Sequence, residues 1–270
     1  ANTHTIFAII AVLVELPFTG KLIWLAEKIV PVLPEENQQM EDRSLVYMTQ
    51  LTKVPAPVAL RQTQREITRM GHIAADNLQR ALDCFFHYNS AKAASVRSHE
   101  ESVNILNHLI ADAMVDLRSL DLSPENMRRV SMMTIAVTDI ERLSDHAENI
   151  VEYIEQMNAK KAEMSDAARK ELIDMSKDAM DAVYMALDIF EKDDYNKLDQ
   201  IEILEQHVDD HEKDLINNHI ERIMNSLCNP LSAVIFSDLV TDLERCSDHA
   251  INLAYALKER PSEMDAPKII

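Results

Sequence analysis

Glycine is nearly missing from this chain: only Gly20 and Gly71 occur in 270 residues. A Walker-type phosphate loop is therefore excluded, and no G-x-S-x-G nucleophile elbow is present, so neither phosphate cradling by a glycine loop nor serine-based catalysis has support. Cysteine is equally scarce. Cys84, Cys228 and Cys246 are odd in number and show no C-x-x-C spacing, which reads as small buried hydrophobes in a reducing compartment rather than a disulfide framework. Nowhere does E-x-x-H occur, which disfavours a ferritin-like di-iron bundle. Basic residues are outnumbered, 27 against 46 acidic, and the resulting charge of −19 argues against nucleic acid as a partner while suiting cations. Few glycines and 5% aromatics point to long helices. Ala1 opens the chain without a basic n-region or an A-x-A cleavage pattern, so the start is not a signal peptide and looks like a chain entered midway.

What the chain does have is a repeat. Residues 137–149 read V-T-D-I-E-R-L-S-D-H-A-E-N and residues 240–252 read V-T-D-L-E-R-C-S-D-H-A-I-N, identical at ten of thirteen positions. On a helical wheel, Ile140, Leu143, Ala147, Ile150, Val151 and Ile154 form one apolar face, matched in the second copy by Leu243, Cys246, Ala250, Leu253, Ala254 and Leu257. Away from that face each copy presents two carboxylates one turn apart, Glu141 with Asp145 and Glu244 with Asp248. Such a pair repels by a few tenths of a kcal/mol on an isolated helix. Two readings stand: a solvated acidic face, or a hard-cation site that uses carboxylate oxygens. Repetition favours the second, because solvation alone does not demand the same residues twice.

In chain order, T-I-F-A-I-I-A-V-L-V at 5–14 and the apolar stretch 22–30 flank Pro17; neither alone reaches the ~20 residues of a membrane span, and together they cross with a kink. Residues 1–33 read as the end of a membrane segment and 34–57 as a linker rich in proline and polar residues. Helical periodicity then predicts helices over about 58–89, 90–119 and from Ser123-Pro124, followed by Ser165 to about 191, about 194–226, and one started by Asn229-Pro230. The fold expected is all-α: a three-helix bundle over 58–160, a second over 161–260, and a tail at 261–270.

The middle helices of the two units align with a shift of about 105, pairing Glu100 with Glu205 and Asn104 with Asp209. Unit two thus carries two such acidic pairs, Glu205/Asp209 and Glu244/Asp248, with Glu202 and Glu212 extending the stripe; unit one offers Glu100 and Asn104 opposite Glu141 and Asp145. An amide lacks the carboxylate charge, so a unit-one site is expected to be weaker. His146 and His249 sit on helix flanks and read as packed between helices. His207 and His211 have the i, i+4 spacing a transition metal uses, without a third donor on that face. Arg142 and Arg245 read as pairing with an acid one turn away, and Met127, Met132, Met133, Met175, Met180 and Met185 as core filler.

The doubled E-R-x-S-D-H-A-x-N on the third helix of each three-helix unit resembles the PhoU family. That resemblance implies metal clusters, divalent or trivalent and of iron, zinc or another element, held by the paired acids Glu100, Glu141, Asp145, Glu205, Asp209, Glu244 and Asp248. It further implies a regulatory role in phosphate signalling and no enzyme activity. A-N-T-H-T-I-F at the start, L-P-F-T at 16–19, A-E-K-I-V-P at 26–31 and V-P-A-P-V-A-L before the first long helix are similar to the last membrane segment and junction of bacterial Na/Pi cotransporter family proteins. This second resemblance implies the C-terminal part of a sodium-dependent phosphate transporter in the inner membrane, with 34–270 on the cytoplasmic side and phosphate and sodium handled upstream. A homo-oligomer is compatible with it. The alternatives are a free-standing PhoU-like adaptor and a structural helical scaffold without metal.

Overall fold

Four of the six long helices begin where a side chain accepts from their unpaired N–H groups. Ser123 Oγ accepts from Asn126 N at 3.2 Å ahead of Pro124, Ser165 Oγ from Ala168 N at 3.2 Å, Asn229 Oδ1 from Leu231 N at 2.9 Å ahead of Pro230, and Asn89 Oδ1 from Ala91 N at 2.8 Å. The computed structural model describes residues 41–258, so the apolar stretches at 5–30 and the tail at 261–270 lie outside the described residues. Six long helices follow one another: α1 Ala56–Phe86, α2 Ser90–Arg118, α3 Pro124–Lys160, α4 Asp166–Lys192, α5 Leu198–Met224 and α6 Pro230–Tyr255. Short 3₁₀ turns at Leu51–Lys53 and Tyr195–Lys197 precede α1 and α5, and no strand occurs among the described residues.

Helices α1, α2 and α3 pack mutually, as do α4, α5 and α6, giving the two three-helix repeats. The repeats meet through equivalent elements, α1 against α4 and α3 against α6. Small residues permit that approach: Ala74, Ala75, Ala136, Ala147, Ala179, Ala182, Ala186 and Ala250 are fully buried. Gly71 on α1 lies against Leu187 of α4 and Ile140 of α3, so close that a methyl group there would press on the Leu187 side chain. Ile140, Leu143, Ile150 and their counterparts Leu243, Cys246 and Leu253 are fully buried, as the wheel predicts. Each such aliphatic side chain contributes roughly 1.5–3 kcal/mol by leaving water. Met133, Met175 and Met180 join the core, whereas Met127 is 37% exposed.

Residues 42–54, within the stretch read as a linker, are folded onto the first repeat. Met48 and Leu51 are buried in its core, and the fully buried Glu66 carboxylate accepts from Val46 N at 2.8 Å and Tyr47 N at 2.5 Å. Arg69 neutralises Glu66 at 2.6 Å, and Arg43 donates to Glu101 at 2.6 Å. Among the described residues no helix is long and apolar enough to cross a membrane.

Candidate functional site

The acidic pairs do converge between helices. On repeat one, Glu100 of α2 faces Glu141, Asp145 and Glu148 of α3, and burial together with those charges pushes its carboxyl up to about 6. Burial and then Asp145 likewise raise Glu141. On repeat two, Glu205 of α5 is raised by burial and by Asp209, Asp248 and Glu202, and Glu244 of α6 by burial and by Asp248, Glu212 and Asp209. Each face is therefore a set of crowded, partly buried carboxylates whose ionisation burial and mutual repulsion disfavour, an arrangement that a cation relieves. Asn104 donates its amide to Glu100 in repeat one, where Asp209 stands in repeat two. Tyr255 donates to Glu202, and that bond pushes its hydroxyl up to about 12.

These donors are oxygens of the kind hard cations take. Among the described residues no group of three His, Cys, Asp or Glu side chains stands as a ready-made metal cage. His207 is exposed, and His211 lies 3.4 Å from Asp178 on α4, so the i, i+4 histidine pair does not act as a unit.

A second cluster occupies the seam where α3 meets α6. His146 Nδ1 lies 3.0 Å from Asp242 Oδ1, and His249 Nδ1 lies 2.9 Å from Asp139 Oδ1. Each histidine of one repeat thus bonds the buried T-D aspartate of the other. The two rings face one another at 5.8 Å between centroids. Tyr153 donates to the second oxygen of Asp242 at 2.9 Å, and burial, reinforced by Asp242, holds its hydroxyl well above the usual phenol range. Beside the rings opens a cleft of about 690 Å³, bordered by Arg142, Asp145, Arg245 and Asp248 as well as both histidines. Arg142 and Arg245 form no ion pair with an acid among the described residues, contrary to the expectation of an intrahelical partner; they border this cleft instead.

The wheel places both histidines between helices but does not show that they pair with Asp139 and Asp242. A signal was available: T-D and D-H are retained unchanged in both copies of the motif, and solvent does not explain a retained buried aspartate.

A tandem of antiparallel three-helix units with acidic faces and a symmetric seam defines a class, and the matches with known proteins give it a name. The PhoU domain model matches residues 67–154 and 172–257. Covering more than half of the sequence, once per repeat, the match shows that this chain belongs to the PhoU domain family. The phosphate-specific transport system accessory protein PhoU homolog 1 of Thermotoga maritima is 23% identical over 189 residues, covering 70% of this chain and 81% of that protein. The crystal structure of PhoU from Pseudomonas aeruginosa superposes with a TM-score of 0.68 at 20% identity, over 73% of this chain and 94% of that one. The phosphate transport system regulatory protein PhoU of Streptococcus pneumoniae gives 0.68 at 17% identity, over 75% and 95%. At those identities the two structures speak for the fold alone.

Proposed function

We propose that this chain is a regulatory accessory of a phosphate transport system, acting in the manner of a free-standing PhoU adaptor that docks on a transporter or a sensor kinase at the cytoplasmic face of the membrane. The observation that carries this reading is that both repeats match the family and that this chain spans nearly the whole of the solved PhoU structures it resembles. The Thermotoga relative is named as an accessory of phosphate-specific transport, and that role is transferred here as a proposal. Fusion to a Na/Pi cotransporter rests on residues 1–33, which lie outside the described residues, and reading the gene upstream of Ala1 tests it.

Within this reading, the faces built by Glu100, Glu141 and Asp145 and by Glu205, Asp209, Glu244 and Asp248 hold multivalent hard cations. The support is the mutual elevation of those carboxyls, which a cation would reverse. Repeat two is the stronger of the two sites because Asp209 replaces Asn104. The decisive experiment expresses the chain in a bacterium lacking its own accessory protein and follows a phosphate-starvation reporter in phosphate-replete medium. Restored repression supports the role; unaltered derepression with the protein present and folded removes it. Elemental analysis of the Glu244→Gln, Asp248→Asn double variant tests the cation separately, and unchanged metal content would exclude the repeat-two site.

A further inference from the structure

His219, at the far end of repeat two, is a polar group that its surroundings leave unanswered. It is 4% exposed and stacks on Phe236 at 4.6 Å, yet neither ring nitrogen has a hydrogen-bond partner among the described residues. Burial and then Arg222 hold its imidazole below the ordinary range; the Ala233 backbone acts the other way but forms no hydrogen bond of ordinary geometry with the ring. Leaving a buried polar group unpaired destabilises a fold. Packing alone has an apolar solution at this place, because repeat one sets the buried Met114 against Met133 where repeat two sets His219 against Phe236.

The ring borders a cavity of about 20 Å³, room for a group about the size of one water. Ser165 and Ala168 line it from the start of α4, Ser232 from the first turn of α6, and Leu227 from the loop before α6. Side chains cap Ala168 N and Leu231 N, but the N–H groups of Asp166, Ala167 and Ser232 form no hydrogen bond among the described residues. Two helix N-termini, each with a positive dipole end, thus frame one cavity that also holds an unpartnered imidazole. Glu163 is the one acid among the lining residues, and it is exposed. A tetrahedral oxyanion is too large for this space and finds no arginine or lysine on its wall, whereas a planar carboxylate can insert an oxygen. Outside the cavity the surface is apolar: Leu227 is 67% exposed, and Ile220, Ile223 and Met224 at the end of α5 are 48%, 49% and 79% exposed.

We propose that this end of repeat two is a binding site for a small monocarboxylate with a short apolar tail, its head taken by His219 between the N-termini of α4 and α6 and its tail laid against Leu227 and Ile223. The head supplies the acceptor that the imidazole lacks, and its charge meets both dipole ends. The tail covers apolar side chains that are otherwise in water. Repeat one has no equivalent, since Met114 offers no hydrogen bond. The site shares no residue with the carboxylate faces and does not rest on the regulatory role proposed above.

The test follows the ring nitrogen resonances of His219 in the full chain, identified by their contacts with the Phe236 ring, at constant pH and ionic strength. Acetate, butyrate and hexanoate are titrated in turn, with hexanol and inorganic phosphate as controls. Hexanoate should shift the resonances saturably at one equivalent, and affinity should rise from acetate to hexanoate by up to about 4-fold for each methylene that leaves water. Hexanol and phosphate at the same concentrations should leave them in place. Leu227→Ser, at an exposed position, should bring hexanoate down toward the affinity of acetate while acetate itself binds as before. His219→Gln should remove carboxylate binding, and the titrations of the unaltered chain decide the matter even where that variant does not fold. No saturable shift with hexanoate, an equal response to hexanol or phosphate, affinity indifferent to tail length, or a Leu227→Ser variant that binds hexanoate normally would each overturn the proposal. Loss of phosphate-dependent repression with hexanoate binding intact would instead count against the proposed function alone.

Discussion

The two repeats share a motif, a helix order and a seam, and they differ at the far end of each bundle and on the acidic faces. In repeat one, Met114, Leu117 and Met133 close the space between α2 and α3 as buried apolar side chains. Shifted by 105 on the middle helix and 103 on the last, the same positions in repeat two hold His219, Arg222 and Phe236. There Arg222 pairs with Glu171 at 2.8 Å and lies 4.9 Å over the Phe236 ring, while His219 stacks on Phe236 at 4.6 Å. The difference teaches where sequence is constrained. The T-D and D-H residues that bond across the seam are unchanged, because altering one copy strands a buried group of the other; the bundle ends answer only to their own repeat and have diverged.

The largest break in this comparison comes from Glu171→Ala. Arg222 has only 11% of its side chain exposed, and removing its partner strands a mostly buried charge, so chemical denaturation should show a loss of about 3 kcal/mol. The pair Glu171→Leu with Arg222→Leu converts this end toward the apolar solution of repeat one and should recover most of that loss. A double variant no more stable than the single one would show that the ion pair is not what organises this end.

Next in size is the seam itself. Asp242 accepts from both His146 and Tyr153, but Asp139 accepts only from His249, since Ala256 stands where Tyr153 has its counterpart, and the second Asp139 oxygen is buried without a partner. Asp242→Ala is expected to cost about 2–4 kcal/mol and Asp139→Ala about 1–2, because each stranded buried group costs roughly 1–3 kcal/mol. Equal losses in urea melts of the two variants would deny the asymmetry.

Acidity should expose the difference between the carboxylate faces. Glu100 has a folded-state pKa of about 6 against an ordinary 4.5, so its favourable contribution is complete below about pH 4.5 and is lost as pH rises through 6. Glu141, Asp145, Glu205, Glu244 and Asp248 shift in the same direction. Glu155 and Asp188 are lowered by their Arg97 and lysine partners and act oppositely. Metal-free protein should therefore gain melting temperature on going from pH 7 to pH 5, and Glu100→Gln should flatten that rise. A melting temperature that falls monotonically over this interval would contradict the burial and crowding of Glu100.

How much of this was legible in the sequence follows from the range of each interaction. Apolar faces, caps and the stripe that brings Glu205 and Asp209 near Glu244 and Asp248 are set by helical period and by neighbours within one repeat, so a wheel and an alignment of the two copies suffice. The bond from His146 to Asp242 spans 96 residues and crosses between repeats, and a wheel cannot say which foreign helix meets a given flank. His219 illustrates the opposite difficulty. Lying among Glu, Asp and Lys on α5, it reads as part of a charged helix, yet it is 4% exposed because α4 and α6 close over that end. The lead-in at 42–54 likewise reads as a linker by its polar residues, and only the buried Glu66, accepting two of its backbone N–H groups, shows why it is held down.

The smallest expected effect lies in the turn between the second and third helices of each repeat. In repeat two, α5 ends with Ser226 in the left-handed region at φ 58°. Leu227 N bonds back to Arg222 O at 2.9 Å and Ser226 N to Ile223 O at 2.9 Å, the paired bonds of a Schellman stop. A side chain at that φ crowds the following carbonyl by about 1 kcal/mol or more, and glycine avoids it. Ser226→Gly should therefore stabilise the protein by up to about 1 kcal/mol, raising the melting point of a chain this size by about 2–4 °C. The equivalent turn of repeat one carries no positive φ, and Asp121→Gly there gains nothing from the same change while adding freedom to the unfolded chain. Thermal melts of the two glycine variants should move in opposite directions, and a matching rise in both would mean that the two turns share a conformation their backbone angles deny.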